Sequence, residues 1–213
     1  MILKQFLDKC DNGGFVELNS KFTSVLLKDN IIKLSFKKLY THLILQFIDE
    51  GLLSDDTMMV VFDKLKTNVD NINELLKKDT FSEQENSILN NLYGYLYLED
   101  YHASIRISGY MYSIMDYYYN RYYDNILYID TDTIYMSKFE GEDFIKSIGV
   151  PYNIKEVNQI YLVAKKRLFV EEEGKISMKG LDRKYNPSDI ITQNMESIMR
   201  SNVRERKLKE LGI

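Results

Sequence analysis

Tyr128-Ile129-Asp130-Thr131-Asp132-Thr133-Ile134-Tyr135 reads as two short strands joined by a tight turn. β-Branched and aromatic residues on either side favour extended backbone, and Asp-Thr-Asp supplies the turn between them. Two carboxylates one residue apart at such a turn can converge beside a divalent cation. The same tripeptide also serves as plain turn chemistry, with Asp side chains bonding nearby backbone amides. The residues alone leave both readings open, and the flanking chain has to decide.

Upstream of this stretch the pattern is helical. A long helix is expected from about Ala103 to Tyr123, and its Ile105, Tyr112, Met115, Tyr119 and Tyr122 fall on one stripe, so core packing explains the aromatic series. Before it, after a link around Glu99-Asp100, Ser82 and Glu85 have the spacing of a capping box. The helix they begin carries Ile88, Leu89, Leu92 and Tyr93 and meets Gly94. Apolar spacings of three and four run from Thr57 to Lys78 until Lys77-Lys78-Asp79-Thr80 breaks them. Leu39 to Phe47 is most easily a helix. From Thr23 to Phe36 the pattern is strand, turn at Lys28-Asp29-Asn30, and second strand. Gly13-Gly14 followed by Phe15-Val16-Glu17-Leu18 reads as a short hairpin or a strand start.

Downstream come an acidic helical stretch near Glu142 to Ile148 and a turn at Val150-Pro151. Short strands follow at Ile160–Ala164, Leu168–Glu171 and Ile176–Met178, the last two joined through Glu172-Glu173-Gly174. Pro187-Ser188-Asp189 starts a last helix, and Arg204, Arg206, Lys207 and Lys209 make a charged tail that reads as a solvated helix end. The order of elements is that of an α+β domain, an antiparallel sheet with helices packed on one face.

Composition narrows the classes. A chain of 213 residues that is 45% hydrophobic can bury one good core with at most a small lobe. Its net charge of -4 carries no global positive field, so contact with nucleic acid would fall to local Lys and Arg patches. One cysteine, Cys10, excludes an intrachain disulfide, and no Cys/His spacing suits zinc. The start lacks a signal-peptide core and charges interrupt every apolar run, so the expectation is a cytosolic, non-membrane protein. Its 17 tyrosines, with Asn, Lys and Ile richness, point to biased coding as much as to aromatic chemistry.

With these elements in place, the chain resembles the palm of family B DNA polymerases, especially phage and viral ones. The family's third core motif, Tyr-Gly-Asp-Thr-Asp-Ser, is matched by Tyr128-Ile129-Asp130-Thr131-Asp132-Thr133 at the Tyr, both Asp and the Thr between them. Its second motif, Asn-Ser-x-Tyr-Gly on a fingers helix, is similar to Asn90-Asn91-Leu92-Tyr93-Gly94. The place of the first, Asp-x-x-Ser-Leu-Tyr-Pro-Ser-Ile, is taken by Ser35-Phe36-Lys37-Lys38-Leu39-Tyr40-Thr41-His42-Leu43. Lys165-Lys166-Arg167 resembles the Lys-Lys-x-Tyr motif, and Met178-Lys179-Gly180-Leu181-Asp182 the Lys-Gly-hydrophobic-acidic signature. These pieces occur in the family's order from about Ile31 to Asp189.

The resemblance implies a polymerase palm-like antiparallel sheet with helices on one face and a reduced helical fingers segment. Residues 1–34 would be strands leading into the palm, 35–56 palm with the first motif, and 57–94 the reduced fingers. Residues 95–187 would return to the palm, and 188–213 would form the C-terminal helix and tail. It also implies two magnesium ions clamping the reacting groups, with Asp132 the main ligand and Asp130 its helper. Ser35 stands where the family has the opposing Asp, and a neutral hydroxyl is a poor ligand for a hard dication. Magnesium would then bind weakly or not at all, and Asp29, at the far end of a strand, is no replacement.

For nucleotide binding the resemblance implies Tyr40, Asn90 and Tyr93, although burial alone would also keep the two tyrosines. The family's Lys one turn before the Asn is Asn86 here. Lys64 and Lys66 can meet phosphate or simply be solvated. Lys165, Lys166, Arg167 and Lys179 would lie along a primer-template backbone, where charge and reach suffice. The family's exonuclease and thumb domains have no counterpart, so a second polypeptide is expected over the exposed palm. The expected function is that of a degenerate, catalytically impaired palm, associated with nucleic acid or with a partner. An active split polymerase and a scaffold subunit of a larger viral assembly are the alternatives.

Overall fold

The computed structural model describes residues 15–23, 26–138 and 150–180. Its seven strands are β1 (Val16–Leu18), β2 (Leu26–Phe36), β3 (Ile126–Asp130), β4 (Thr133–Ser137), β5 (Tyr152–Ala164), β6 (Arg167–Glu172) and β7 (Lys175–Lys179). All join one antiparallel sheet in the order β1-β3-β4-β2-β5-β6-β7. The helices are α1 (Leu39–Asp49), α2 (Asp55–Leu65), α3 (Val69–Leu76), α4 (Glu83–Glu99) and α5 (Tyr101–Arg121). The expected α+β class is what forms.

Alternation along the strands sorts the sheet into two faces. Ile32, Leu34 and Phe36 of β2, with Ile134 and Met136 of β4, pack in one buried cluster with Leu43 and Ile44 of α1, Leu92 of α4 and Met111 of α5. Burying one such aliphatic side chain stabilises the fold by roughly 1.5–3 kcal/mol, so this face holds the helices to the sheet. The opposite face carries a second cluster, in which Leu127 and Tyr128 of β3 meet Ile160 of β5 and Leu168 and Val170 of β6. The sheet curls so that β7, last in its order, returns to β3, where Lys179 meets Asp130, and the curl makes an inner face that the sequence pattern does not announce. Lys33 of β2 reaches across it to Glu172 at 2.9 Å.

Local chemistry sets the boundaries. Ser82 and Glu85 form the expected capping box at the start of α4, each side chain bonding the other residue's backbone N–H. Asp100 ends α4 and caps α5, its Oδ1 accepting from the Ala103 N–H at 2.8 Å. Glu173 and Gly174 have φ of 52° and 75°, as a two-residue hairpin turn between twisted strands requires.

Some details differ from the pattern. Lys28-Asp29-Asn30 is not a turn between two strands but a bulge inside the single strand β2, with Asp29 and Asn30 at φ 60° and 52°. Asp and Asn tolerate that conformation, and β5 pairs with β2 on both sides of it, as Lys28↔Gln159 and then Ile31↔Val157. β5 is correspondingly far longer than Ile160–Ala164. The helical run from Thr57 to Lys78 divides where Lys66 turns left-handed, and Asn68 caps α3. The stretch Glu142–Ile148 and the final helix and basic tail lie outside the described residues.

Candidate functional site

The carboxylate turn joins β3 to β4. A register shift between Ile126 and Tyr128 sets Tyr128 and Asp130 on the inner face of the curl, opposite the helices. Thr131 sits at φ 59°, an unfavourable conformation for a β-branched residue. Bonds on both sides hold it. The Thr131 N–H donates to the Phe15 carbonyl at 2.8 Å, and the Phe36 N–H donates to the Asp132 carbonyl at 2.8 Å. The start of β1 and the end of β2 therefore clamp the turn, which fixes where its two carboxylates point.

Asp130 is buried, only 8% exposed. The Tyr128 hydroxyl donates to its Oδ2 at 3.3 Å, and the Lys179 ammonium forms an ion pair with the same oxygen. Burial, with the Asp130 charge as a second cause, pushes the Tyr128 phenol well above its ordinary range, so Tyr128 stays a donor. Asp132 is less enclosed and accepts from the Thr133 hydroxyl at 3.2 Å. Burial raises its pKa above the usual carboxylate value, partly opposed by the bond from Thr133.

Ser35 pairs directly with Thr133 across β2 and β4, beside the turn, and with Asn153 of β5 on its other side. Beside the turn the strand thus offers a hydroxyl between two neutral cross-strand partners. A pair of magnesium ions needs several carboxylate oxygens on both sides of each ion. Among the described residues no three His, Cys, Asp or Glu side chains converge as a metal site would require. These donors do not fit a two-cation centre.

A cavity of about 450 Å³ opens between the turn and the helices, lined among others by Lys38, Tyr40, Asn90, Tyr93 and Asp132. The structure thus brings together four residues named from the sequence. The Tyr40 and Tyr93 rings lie 4.5 Å apart. The Tyr93 hydroxyl reaches the Ser104 carbonyl at 3.3 Å and the Ser108 hydroxyl, tying α4 to α5. Both tyrosines also pack against the main core, so burial and cavity lining are served by the same rings.

Lys38 is the residue the sequence reasoning missed. It precedes α1 with φ 51°, and its ammonium donates to Asn86 Oδ1 at 2.9 Å and Asn90 Oδ1 at 2.7 Å. Burial lowers its pKa, while attraction to Asp132 acts the other way. The available signal was the pair Asn86 and Asn90, one turn apart on α4, with a lysine in the first motif where the family has serine.

Other named residues lie elsewhere. Lys64 is ion-paired with Glu99 of α4 and does not line the cavity. Lys165, Lys166 and Arg167 are exposed at the β5–β6 turn, where Lys165 pairs with Glu17 at 2.6 Å. The Lys166 N–H donates to the Tyr128 hydroxyl at 3.1 Å, so that turn touches the carboxylate site from behind. A second cavity, of about 290 Å³, lies on the inner face between Lys33, Asp130, Asp132, Tyr135 and Lys179.

No protein-family model matches the sequence, and no curated protein sequence matches it. The curled antiparallel sheet with helices on one face is a DNA polymerase-like fold. The similar solved structures include phi29 DNA polymerase with primer-template DNA in a post-translocation binary complex, at 13% identity and TM-score 0.57. They also include that polymerase in a ternary complex with primer-template DNA and incoming nucleotide substrates, at 14% and 0.56, and with single-stranded DNA, at 14% and 0.54. The matches cover 85 to 86% of this chain and 55 to 56% of those chains, so it spans little more than half their length. Among the described residues no helix is long and apolar enough to cross a membrane.

Proposed function

We propose that the chain is a degenerate family B-like palm, of phage type, that binds nucleic acid or nucleotide with little or no polymerase activity of its own. The observation that carries this is Ser35, paired with Thr133 beside the acids, where nucleotidyl transfer needs a third carboxylate. Losing such a ligand removes about 3 kcal/mol or more of transition-state stabilisation. The cavity of Tyr40, Asn90 and Tyr93 supports retained binding, since aromatic faces and an amide suit a nucleotide. In this reading Lys38 supplies the phosphate contact, its ammonium reaching α4 where the family's lysine is replaced by Asn86. The exposed Lys165, Lys166 and Arg167 supply charge for a primer-template backbone.

Primer extension by the purified chain, with magnesium or manganese, tests the reading. The expected result is binding of primer-template DNA that weakens with salt, without extension. Robust extension abolished by Asp132→Ala overturns it.

A second reading, an active split polymerase completed by another chain, draws on apolar side chains left at the surface. Met59 of α2 and Leu98 of α4 are 65% and 72% exposed, and Tyr101 at the start of α5 is exposed as well. Copurification with a polymerase fragment, and extension only by the mixture, would favour it over the first.

A further inference from the structure

Asp130 stands on the second strand of the sheet order and Lys179 on the last, yet their side chains form an ion pair. The curl closes at this pair, and several contacts set it. Lys179 pairs with Leu168 on β6, and the next residue, Gly180, sits at φ +62° against the β5–β6 turn. A Cβ on Gly180 would lie 2.0 Å from the Lys166 carbonyl oxygen, so only glycine allows β7 to end there. The Lys166 N–H then bonds the Tyr128 hydroxyl, which bonds Asp130. Three separate parts of the chain thus converge on one carboxylate.

The two partners differ in exposure. The Asp130 side chain is 9% exposed and the Lys179 side chain 58%. A carboxylate so enclosed requires a compensating positive charge and hydrogen-bond donors. Tyr128 supplies a neutral donor, and Lys179 supplies the charge. The lysine stem approaches from solvent, so its ammonium can leave without the core opening.

We infer that Lys179 is the built-in cation of the carboxylate turn: its ammonium occupies the place at Asp130 that a divalent ion would need, and metal binding there requires Lys179 to move away. This accounts for the poor fit of the donor set to a two-cation centre. With Ser35 in place of a third carboxylate, one ammonium neutralises Asp130 where a dication would lack ligands. The inference rests on the reading of a catalytically impaired palm and fails separately from it. Extension by the purified chain overturns that reading, whereas metal affinity decides this one.

The test is manganese binding to the full chain, followed by electron paramagnetic resonance, for the natural sequence, Lys179→Met and Lys179→Arg. Lys179→Met is expected to bind manganese about tenfold more tightly or better, because a competing charge-assisted bond is removed. Lys179→Arg should match the natural chain, and adding Asp130→Asn to Lys179→Met should abolish the gain. Equal affinity in Lys179→Met and the natural chain, or a gain that survives Asp130→Asn, overturns the inference. Should Lys179→Met not fold, Lys179→Gln, which keeps a polar stem without the charge, is measured in its place, and an affinity equal to that of the natural chain equally overturns the inference.

Discussion

Lys38 Nζ lies 2.9 Å from Asn86 Oδ1, so the positive charge at that wall of the cavity comes from the start of α1 and not from α4. An asparagine on the helix and a lysine opposite it make a contact that either residue alone does not explain. Asn86 and Asn90 both turn amide oxygens toward the ammonium, leaving it between two neutral acceptors and near Asp132.

Lys38→Met should therefore weaken binding of a nucleoside triphosphate. A hydrogen bond to a charged group contributes roughly 1.5–3 kcal/mol, which corresponds to about tenfold or more in affinity. Titration with a fluorescent nucleotide analogue measures it, alongside Lys64→Met as a control. Lys64 is engaged with Glu99 outside the cavity, so its replacement should leave the affinity unchanged. Equal losses in both variants would point to a general charge effect and not to the cavity.

Gly180→Ala should destabilise the chain by about 1–3 kcal/mol, the range for a non-glycine residue held at an unfavourable positive φ. The added methyl also meets the Lys166 carbonyl, so β7 must shift and its ion pair with Asp130 must lengthen. Chemical denaturation gives the stability change. A neutral result would mean that β7 does not end against the β5–β6 turn.

How much of this was legible before the fold was known depends on the range of each signal. The capping box at Ser82 and Glu85 and the hairpin at Glu173-Gly174 were readable because their causes lie within a few residues. The Asp130–Lys179 pair was not, since it depends on a curl that brings together two residues 49 apart in sequence. Periodicity could assign both faces of β2 as strand but could not say that Lys33 would cross the inner face to Glu172. Lys28-Asp29-Asn30 misled for a related reason. Turn residues in a strand read as a chain reversal until a partner such as β5 runs past them. Lys38 was hidden because its partners on α4 are 48 and 52 residues away.

Asn19 should be among the most sensitive single positions. It is fully buried, its Nδ2 donates to the Ile126 carbonyl at 2.9 Å and to the Tyr123 carbonyl, and its Oδ1 accepts from the Lys21 N–H at 3.0 Å. Asn19→Ala orphans those groups at a cost of about 1–3 kcal/mol. Asn19→Asp should cost more at neutral pH, because a carboxylate would face two carbonyl oxygens without a proton to offer. Urea midpoints for the three proteins should fall in the order natural, Ala, Asp, and an Asp variant as stable as the natural chain would remove the argument.

The start of α4 should carry a pH dependence of its own. The Lys78 ammonium bonded to Glu85, with the Ser82 N–H and hydroxyl as further causes, holds the Glu85 carboxyl at about 2, against 4.5 for the free group. A folded-state value below the unfolded one means that the stabilisation is fully present above pH 4.5 and is lost as the pH falls toward 2. Glu85→Gln should therefore lower the melting temperature at neutral pH and narrow its gap to the natural chain through that window. Ser82→Ala, which removes the cap itself, should cost about 1 kcal/mol and persist at low pH, because the hydroxyl does not titrate. Melting curves from pH 7 to pH 2 separate the two, and a Glu85→Gln gap that stays constant across the window would show that the carboxylate, for all its contacts, does not contribute.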